Sequence, residues 1–159
     1  NLTQLPHGLQ ELHLFSNQFE GTLDVTCLPP SLQDLLLHEN RFYGELDPVR
    51  LPEGAEMFTF GTNSFRGTVD LSGLPRGITQ FHVDECQYEG TVDLAALPDL
   101  LTHLSLEKNK FVGTLDLCHL PTPLRELFLD GNRFCGDIHL EDLPGQLMIL
   151  HLHNNALDG

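Results

Sequence analysis

The side chains that could bind metals, form disulfides or catalyse reactions are the histidines, cysteines and carboxylates, and their spacing indicates which of these roles is possible. The 159 residues include nine histidines, four cysteines and 23 acidic residues. The cysteines are Cys27, Cys86, Cys118 and Cys135, and none of their spacings is the paired spacing of a zinc knuckle or a disulfide framework. We therefore expect four reduced thiols.

Catalytic motifs are missing from the sequence. There is no nucleophile elbow, no phosphate-cradling glycine loop and no Cys-His pair at a motif spacing. Scattered cysteines, histidines and aspartates do not make an active site. We predict that the chain is not an enzyme and that it needs no cofactor.

The charge balance narrows the class of partner. The formal net charge is −15, from 23 acidic against 8 basic residues. Nucleic-acid binding needs a basic stripe, so this balance argues against it and favours a protein partner with a basic segment. No apolar run approaches the roughly 18 residues of a membrane-spanning helix, so we expect no membrane insertion. We expect an intracellular, cytoplasmic location, with the cell surface as the alternative; the sequence does not indicate an oligomeric state.

A repeat of 23 residues positions all of these side chains. From Leu9 to Leu147 the pattern returns six times without an insertion, as L-x-x-L-x-L-x-x-N-x-F-x-G followed by G-T-L-D-L-x-x-L-P. A fixed period of this length indicates a stack in which each unit contacts only its neighbours. We predict one domain over residues 1–159, with six full repeats from Leu9 and partial repeats at both ends, and expect it to be a fragment of a longer chain.

Each repeat is predicted to contain two short strands. Alternation after Leu12 indicates a first strand whose leucines face a core, and stacked copies give a seven-stranded parallel sheet. A second strand is predicted over residues 22–25, after a turn at Gly21 where positive φ is expected. Because only about eight residues separate Asp24 from Leu32 and each copy has a proline there, we expect turns or single 3₁₀ turns in place of α-helices.

The quoted pattern resembles the leucine-rich repeat family. Its second half is similar to the LDLxxLP subclass of trypanosomatid leucine-rich repeat proteins, and also to the plant-specific type, which has G-x-I-P at this place. The resemblance covers nearly the whole chain and implies a right-handed β-solenoid whose concave parallel sheet binds other proteins. It transfers no site residue, because the residues that face outward from the sheet differ between members.

Three columns of side chains are predicted to point outward from the first strands; they start at Glu11, His13 and Phe15, recur every 23 residues and end at Ile149, His151 and His153. Exposed aromatics and methionine beside charge are typical of interface hot spots, so we predict protein-protein interaction at this face. The alternatives are scattered surface apolar side chains, a face covered by flanking chain, and a structural spacer whose edges make the contacts. The predicted partner-binding residues are Glu11, His13, Phe15, Leu36, His38, Met57, His82, Asp84, His103, Glu107, Phe128, Asp130, Ile149 and His151.

Two groups inside these columns suggest more specific chemistry. Asp84, Glu107 and Asp130 fall on successive strands, about 5 Å apart, and predict a docking site for lysine or arginine, with a solvated, salt-screened face as the alternative. His82 and His103 lie near Asp84 and suggest a metal site. We disfavour metal because ligands on a flat sheet point in parallel instead of converging. Protonation of such imidazoles near their reference pKa of about 6.5 would make partner binding pH-dependent.

Two further columns repeat in nearly every unit. An aspartate opens each connection, and we predict that it accepts backbone N–H bonds from the turn that follows, with a calcium ladder as the disfavoured alternative. An asparagine ends each first strand and is predicted to pair with backbone groups, which Cys86 can do only in part. The aspartates are Asp24, Asp47, Asp70, Asp93 and Asp116, and the asparagines are Asn17, Asn40, Asn63, Asn109, Asn132 and Asn155.

Overall fold

A computed structural model describes residues 2–158 and shows a β-solenoid of about six turns with two parallel seven-stranded sheets. The first sheet contains β1 (Glu11–His13), β3 (Asp34–Leu36), β5 (Met57–Thr59), β7 (Gln80–His82), β9 (His103–Ser105), β11 (Glu126–Phe128) and β13 (Ile149–His151). The second contains β2 (Glu20–Thr22), β4 (Arg41–Gly44), β6 (Ser64–Gly67), β8 (Gln87–Gly90), β10 (Lys110–Gly113), β12 (Arg133–Asp137) and β14 (Ala156–Asp158).

The two sheets pair with different offsets. In the first sheet each residue lies beside its equivalent one repeat on, as Glu11 beside Asp34. In the second sheet Glu20 lies beside Arg41, which is two residues short of a full repeat. The predicted parallel first sheet is therefore confirmed, while the second sheet is sheared against it.

The second strand lies earlier than the sequence predicts. It spans Glu20–Thr22 instead of residues 22–25, with Gly21 inside it at φ +113°. The backbone after it is already engaged in a turn, because the Cys27 N–H donates to the Asp24 carbonyl at 3.3 Å and the Leu28 N–H to the Val25 carbonyl at 3.2 Å. These groups are unavailable to a ladder, so the strand ends at residue 22.

Short 3₁₀ turns occupy the connections, as predicted. They span Val25–Cys27, Pro48–Arg50, Leu71–Gly73 and Leu94–Ala96, with another at Leu2–Gln4. Over residues 2–158 no helix is long and apolar enough to cross a membrane.

The aspartate that opens each connection caps it, as predicted. Asp70 Oδ1 accepts from the Ser72 N–H at 3.0 Å, and Asp93 Oδ1 accepts from the Ala95 N–H at 3.0 Å. Asp24 makes the same bond to Thr26, and hydrogen bonds from the Thr26 hydroxyl and N–H hold the pKa of this carboxyl below its usual range. The caps explain this aspartate column without calcium, because each carboxylate is used by its own turn.

The core consists of stacked apolar columns between the sheets. Phe58, Phe81 and Leu104 are fully buried under the first sheet. On the side of the second sheet, Tyr88 stacks on Phe111 with ring centroids 6.3 Å apart, and the same stacking repeats along the column. Burial is thus distributed along the stack, as its period implies.

The asparagine column forms the predicted ladder. Asn109 Nδ2 donates to the carbonyls of Val83, Leu106 and Glu107 at 2.9, 3.2 and 3.1 Å, and its Oδ1 accepts from the Tyr88 N–H at 3.0 Å. One buried amide therefore ties its own turn to the preceding one.

Cys86 takes the asparagine place in one repeat and makes less of this network. Its thiol reaches the Phe60 carbonyl at 3.8 Å, and burial raises its pKa to about 11. The prediction that Cys86 only partly replaces an asparagine is confirmed. All four cysteines are free, as expected.

Every repeat contains one residue in the left-handed region of backbone conformation, which no sequence pattern predicts. The residue before each asparagine of the ladder, and before Cys86 in the same column, has φ between 48° and 65°, whatever its type. These residues are Ser16, Glu39, Thr62, Glu85, Lys108, Gly131 and Asn154. Only one is glycine, so the hydrogen bonds around the bend hold the other side chains in a conformation that costs free energy.

Candidate functional site: the outward face of the first sheet

The structure places the three predicted columns on one face, here called the first-sheet surface. The pairing of β1 with β3 sets Glu11 beside Asp34 and His13 beside Leu36, and the same register continues to β13. His13 is exposed and Phe128 is half-buried, so neither belongs to the core. The pairing shows that the first two columns run along this sheet in register, and the role of all three columns in binding stays a prediction.

The N-terminal part of this surface carries a stacked aromatic pair. Phe15 is 43% exposed and its ring lies parallel to the His38 ring, with centroids 4.8 Å apart. His38 Nδ1 lies 2.8 Å from the Thr59 hydroxyl, which fixes the ring from the next strand. A planar apolar surface with a polar edge is thus held in one orientation, as a binding anchor requires.

Beside this pair lies a shallow depression of about 330 Å³. It is lined by Leu36, His38, Glu39, Met57, Thr59, Thr62, His82 and Asp84. Five of these residues belong to the predicted partner-binding set. The depression combines methionine and leucine with imidazole and carboxylate groups, the mixture expected for a peptide side chain with both apolar and polar parts.

His82 does not behave as a switch near neutral pH. Burial lowers its pKa to about 4, and the neighbouring His103 and His38 lower it further in the same direction. Its imidazole is therefore neutral at pH 7 and can donate one hydrogen bond and accept another. The prediction of pH-dependent contacts near pH 6.5 is wrong for this histidine.

Asp84 occupies space that a missing side chain leaves open. A Cβ on Gly61 would fall on the Asp84 carboxylate, so the glycine lets this half-buried acid lie over the preceding strand. Burial raises the pKa of Asp84, while Lys108 acts in the opposite direction. The carboxylate faces the depression and is the acidic group best placed to meet a basic partner.

The acidic column is less open to a basic segment than predicted. Lys108 forms ion pairs with Glu85 and, at 3.7 Å, with Glu107, so a cation from the chain itself already serves the middle of the column. Burial, followed by the charge of Asp130, raises the pKa of Glu107. The alternative of a solvated, salt-screened face also fits poorly, because Glu107 is paired with Lys108 and Asp130 is only 5% exposed.

Asp130 is the clearest departure from expectation. It is only 5% exposed, with Oδ1 3.7 Å from His151 Nδ1 and Oδ2 3.3 Å from His153 Nε2. The His151 ring also meets the edge of Phe128, with centroids 5.0 Å apart at 81°. Asp130 is therefore not an exposed docking carboxylate, and imidazoles on this sheet do converge. His153 was in the third column but outside the predicted binding set.

The metal candidate suggested by sequence is not assembled. His103 Nε2 lies 3.7 Å from Glu126, away from a shared centre with His82 and Asp84. Within residues 2–158, the groups whose potential ligand atoms lie within 4.8 Å of one another are Asp130, His151 and His153, and Glu11, His13 and Asp34.

Most of the large exposed apolar side chains lie off the first-sheet surface. Apart from Phe15, they are Phe19, Tyr43, Val49, Leu100, Val112, Leu140 and Met148. Tyr43 and Val112 belong to strands of the second sheet, and Val49 to a 3₁₀ turn. Exposed apolar area therefore does not distinguish the first-sheet surface, and a depression of about 400 Å³ also lies between the connections, lined by Val49, Leu51, Glu53 and residues 73–76.

Solved structures with this arrangement include receptors. The Arabidopsis receptor kinase HAESA, in complex with the peptide hormone IDA and the co-receptor SERK1, matches with a TM-score of 0.79 and 23% identity over 95% of this chain and 26% of that one. YopM from Yersinia enterocolitica matches with a TM-score of 0.76 and 26% identity over 98% of this chain and 31% of that one. Both are leucine-rich repeat proteins. The fold is therefore a leucine-rich repeat solenoid.

A leucine-rich repeat solenoid does not by itself name a ligand. A plant ice-binding protein also matches, with a TM-score of 0.82 and 21% identity over 95% of this chain and 50% of that one. This chain spans about a quarter of the length of the receptor kinase and a third of that of YopM. No family model and no curated protein matches it. Function must be argued from the residues of its own surface.

Proposed function

We propose that this chain is a protein-interaction module that binds an extended, basic peptide segment of a protein partner across a concave first-sheet surface. The observation that carries the proposal is the depression between Leu36, Met57 and His82, with Asp84 at its side. Leucine-rich repeat neighbours are mostly binding and receptor proteins, and this general role agrees with them.

The chemistry of the depression defines the segment it would accept. Met57 is unbranched and adapts to different apolar side chains. Asp84 offers a carboxylate to Lys or Arg, and the net charge of −15 attracts a basic segment from a distance. The exposed face of Phe15 provides a second anchor one strand away, stacked on His38. A peptide with an apolar and a basic residue in succession matches these groups.

Two finer assignments accompany the proposal. We propose an intracellular location, supported by the four free cysteines and the acidic charge. We also propose that the repeat belongs to the LDLxxLP subclass, supported by the aspartate that caps the turn in repeat after repeat.

A peptide library displayed on phage and selected against the chain tests the proposal. We expect selected peptides to be rich in Lys and Arg, and their binding to be lost in Met57→Glu. Tyr43→Glu is the matched control, because Tyr43 is 53% exposed on the second sheet and lies outside the three columns. Circular dichroism of both variants verifies that they are folded.

A spacer that makes contacts through its edges is the second candidate. It is favoured by the exposed apolar side chains on the second sheet and the connections. In the same selection, binding lost in Tyr43→Glu and kept in Met57→Glu would support the spacer and reject the first-sheet surface.

A further inference from the structure

Three potential metal ligands converge at the C-terminal part of the first-sheet surface. Asp130 Oδ2 lies 3.3 Å from His153 Nε2, Asp130 Oδ1 lies 3.7 Å from His151 Nδ1, and the two imidazole rings have centroids 5.6 Å apart. One ligand atom from each residue lies within 4.8 Å of the others. In a tetrahedral zinc site, neighbouring ligand atoms are about 3.3–3.5 Å apart, and the distance from each Asp130 oxygen to its nearest imidazole nitrogen is close to that value.

One oxygen of the Asp130 carboxylate is buried without a hydrogen-bond partner. The residue is 5% exposed, and the unpaired oxygen is Oδ1. Leaving a buried carboxylate oxygen unpaired is costly, and a cation beside it removes that cost. This oxygen lies 3.7 Å from Nδ1 of His151, one of the two imidazoles of the cluster. Solvent reaches the cluster from the histidine side, because the side chains of His151 and His153 are 47% and 60% exposed.

The backbone conformation brings Asp130, His151 and His153 together, which parallel side chains on a flat sheet would not do. His151 lies in β13 directly beside Phe128 of β11, and its carbonyl accepts from the Leu129 N–H at 3.0 Å. His153 follows the strand, and its carbonyl accepts from the Gly131 N–H at 3.1 Å. Asp130 lies between the two donor residues, and the chain turns at Gly131, which donates the second bond, with φ +65°. Asp130 is thereby held between two histidines that sit two residues apart on the next turn of the solenoid.

The other parts of the surface lack this combination. Glu11, His13 and Asp34 also approach one another, but Glu11 and His13 are exposed and no oxygen of theirs is buried without a partner. Asp84 lies in the same column as Asp130, yet the places that His151 and His153 take on the next turn are occupied there by Ser105 and Glu107. The cluster around Asp130 alone joins two imidazoles to a buried, unpaired carboxylate oxygen within residues 2–158.

We propose that Asp130, His151 and His153 bind Zn²⁺, with solvent in the fourth position. Two imidazole nitrogens and one carboxylate oxygen form a donor set that suits Zn²⁺, and three protein ligands with one open place is a common zinc arrangement. The bound ion fixes the loop after β11 against the loop after β13. This site is independent of whether a peptide binds at the depression near Met57.

Isothermal titration calorimetry of the chelator-treated chain with Zn²⁺ at pH 7.5 tests the site. We expect one Zn²⁺ per chain and a rise in Tm on addition of Zn²⁺, because the ion binds the folded state. His153→Ala and Asp130→Asn should each weaken binding about tenfold or more. His139→Ala and His13→Ala are the matched controls and should keep the wild-type affinity, since His139 is exposed elsewhere and His13 lies in the other cluster.

Each result decides for or against the site. His153 is exposed, so its alanine variant is expected to fold even if Asp130→Asn does not. A Zn²⁺ affinity unchanged in His153→Ala overturns the proposal, as does wild-type chain that binds no Zn²⁺, which would leave the cluster as an ion pair only. Loss of binding in His13→Ala with retention in His153→Ala would move the site to the opposite end of the sheet.

Discussion

The turns of this solenoid and its first-sheet surface follow opposite rules. In the turns the same residue recurs in repeat after repeat, as Asn109 and Asn132 do, and each makes the same four hydrogen bonds. On the first-sheet surface the residue changes at every strand, from Met57 to Gln80 to His103 along a single column. The contrast separates positions that hold the stack together from positions that are free to recognise a partner.

The largest effect should come from the asparagine ladder. Asn109→Ala removes four hydrogen bonds and leaves the buried Tyr88 N–H unpaired, so we expect it to lower the free energy of unfolding by about 3 kcal/mol. Urea denaturation measures the change. Asn17→Ala is the matched control, because Asn17 is exposed and donates only to its own turn. Equal losses in the two variants would contradict the account of the ladder.

Restoring the asparagine at the one position where the ladder is interrupted should raise the free energy of unfolding. Cys86→Asn supplies the amide that the other repeats use, and we expect it to raise the free energy of unfolding by about 1 kcal/mol. Cys135→Asn, at an exposed position, should change it little. Destabilisation by Cys86→Asn would show that this repeat has repacked around the thiol and no longer accepts the amide.

Acid should weaken the fold through His82. Its pKa is about 4 in the folded chain and about 6.5 when unfolded, so the unfolded chain binds more protons between these values. Stability is therefore lost as the pH falls through this window. Allowing for partial exposure, we expect a loss of about 1 kcal/mol between pH 7 and pH 5.

The comparison with His82→Gln isolates this histidine. Asp84 and Glu107, whose pKa values are raised, contribute with the opposite sign at lower pH in both proteins. Urea denaturation at several pH values should give a smaller acid-induced loss in the variant. Parallel curves for the two proteins would exclude His82 as the source.

The smallest of these effects should come from the turn caps. Asp93→Ala frees the Ala95 N–H, and we expect a loss of about 0.5–1 kcal/mol. Asp99→Ala is the control, an exposed aspartate that caps no 3₁₀ turn. A loss in Asp99→Ala as large as that in Asp93→Ala would mean that net charge, and not capping, governs the response.

The sequence was sufficient for the first sheet and for the side-chain columns that recur with the repeat. The period gives the first sheet, its register, the caps and the ladder, because one residue type at one spacing has one structural use in such a stack. It placed the second strand too late, since the backbone from Asp24 to Leu28 is used by hydrogen bonds of the turn and not by the strand.

The sequence could not predict the contacts that individual side chains make with residues on adjacent turns. The burial of Asp130 beneath His151 and His153, and the space above Gly61 that Asp84 fills, depend on which residues happen to lie on adjacent turns. The left-handed residue before each position of the asparagine column differs in type from repeat to repeat, so no sequence pattern predicts it. One clue was available for the cluster: His151 and His153 are two residues apart, the spacing that puts side chains on one face of a strand.

The two methionines of the chain allow the most direct test of the first-sheet surface. Met57 lies in the depression, whereas Met148 is 77% exposed and lies outside the three columns. With ¹³C-methyl-labelled methionine, one NMR spectrum recorded with and without a selected basic peptide reports on both places. Binding to the first-sheet surface predicts a shift of the Met57 methyl signal and none of the Met148 signal. A shift of Met148 with Met57 unmoved would contradict the account.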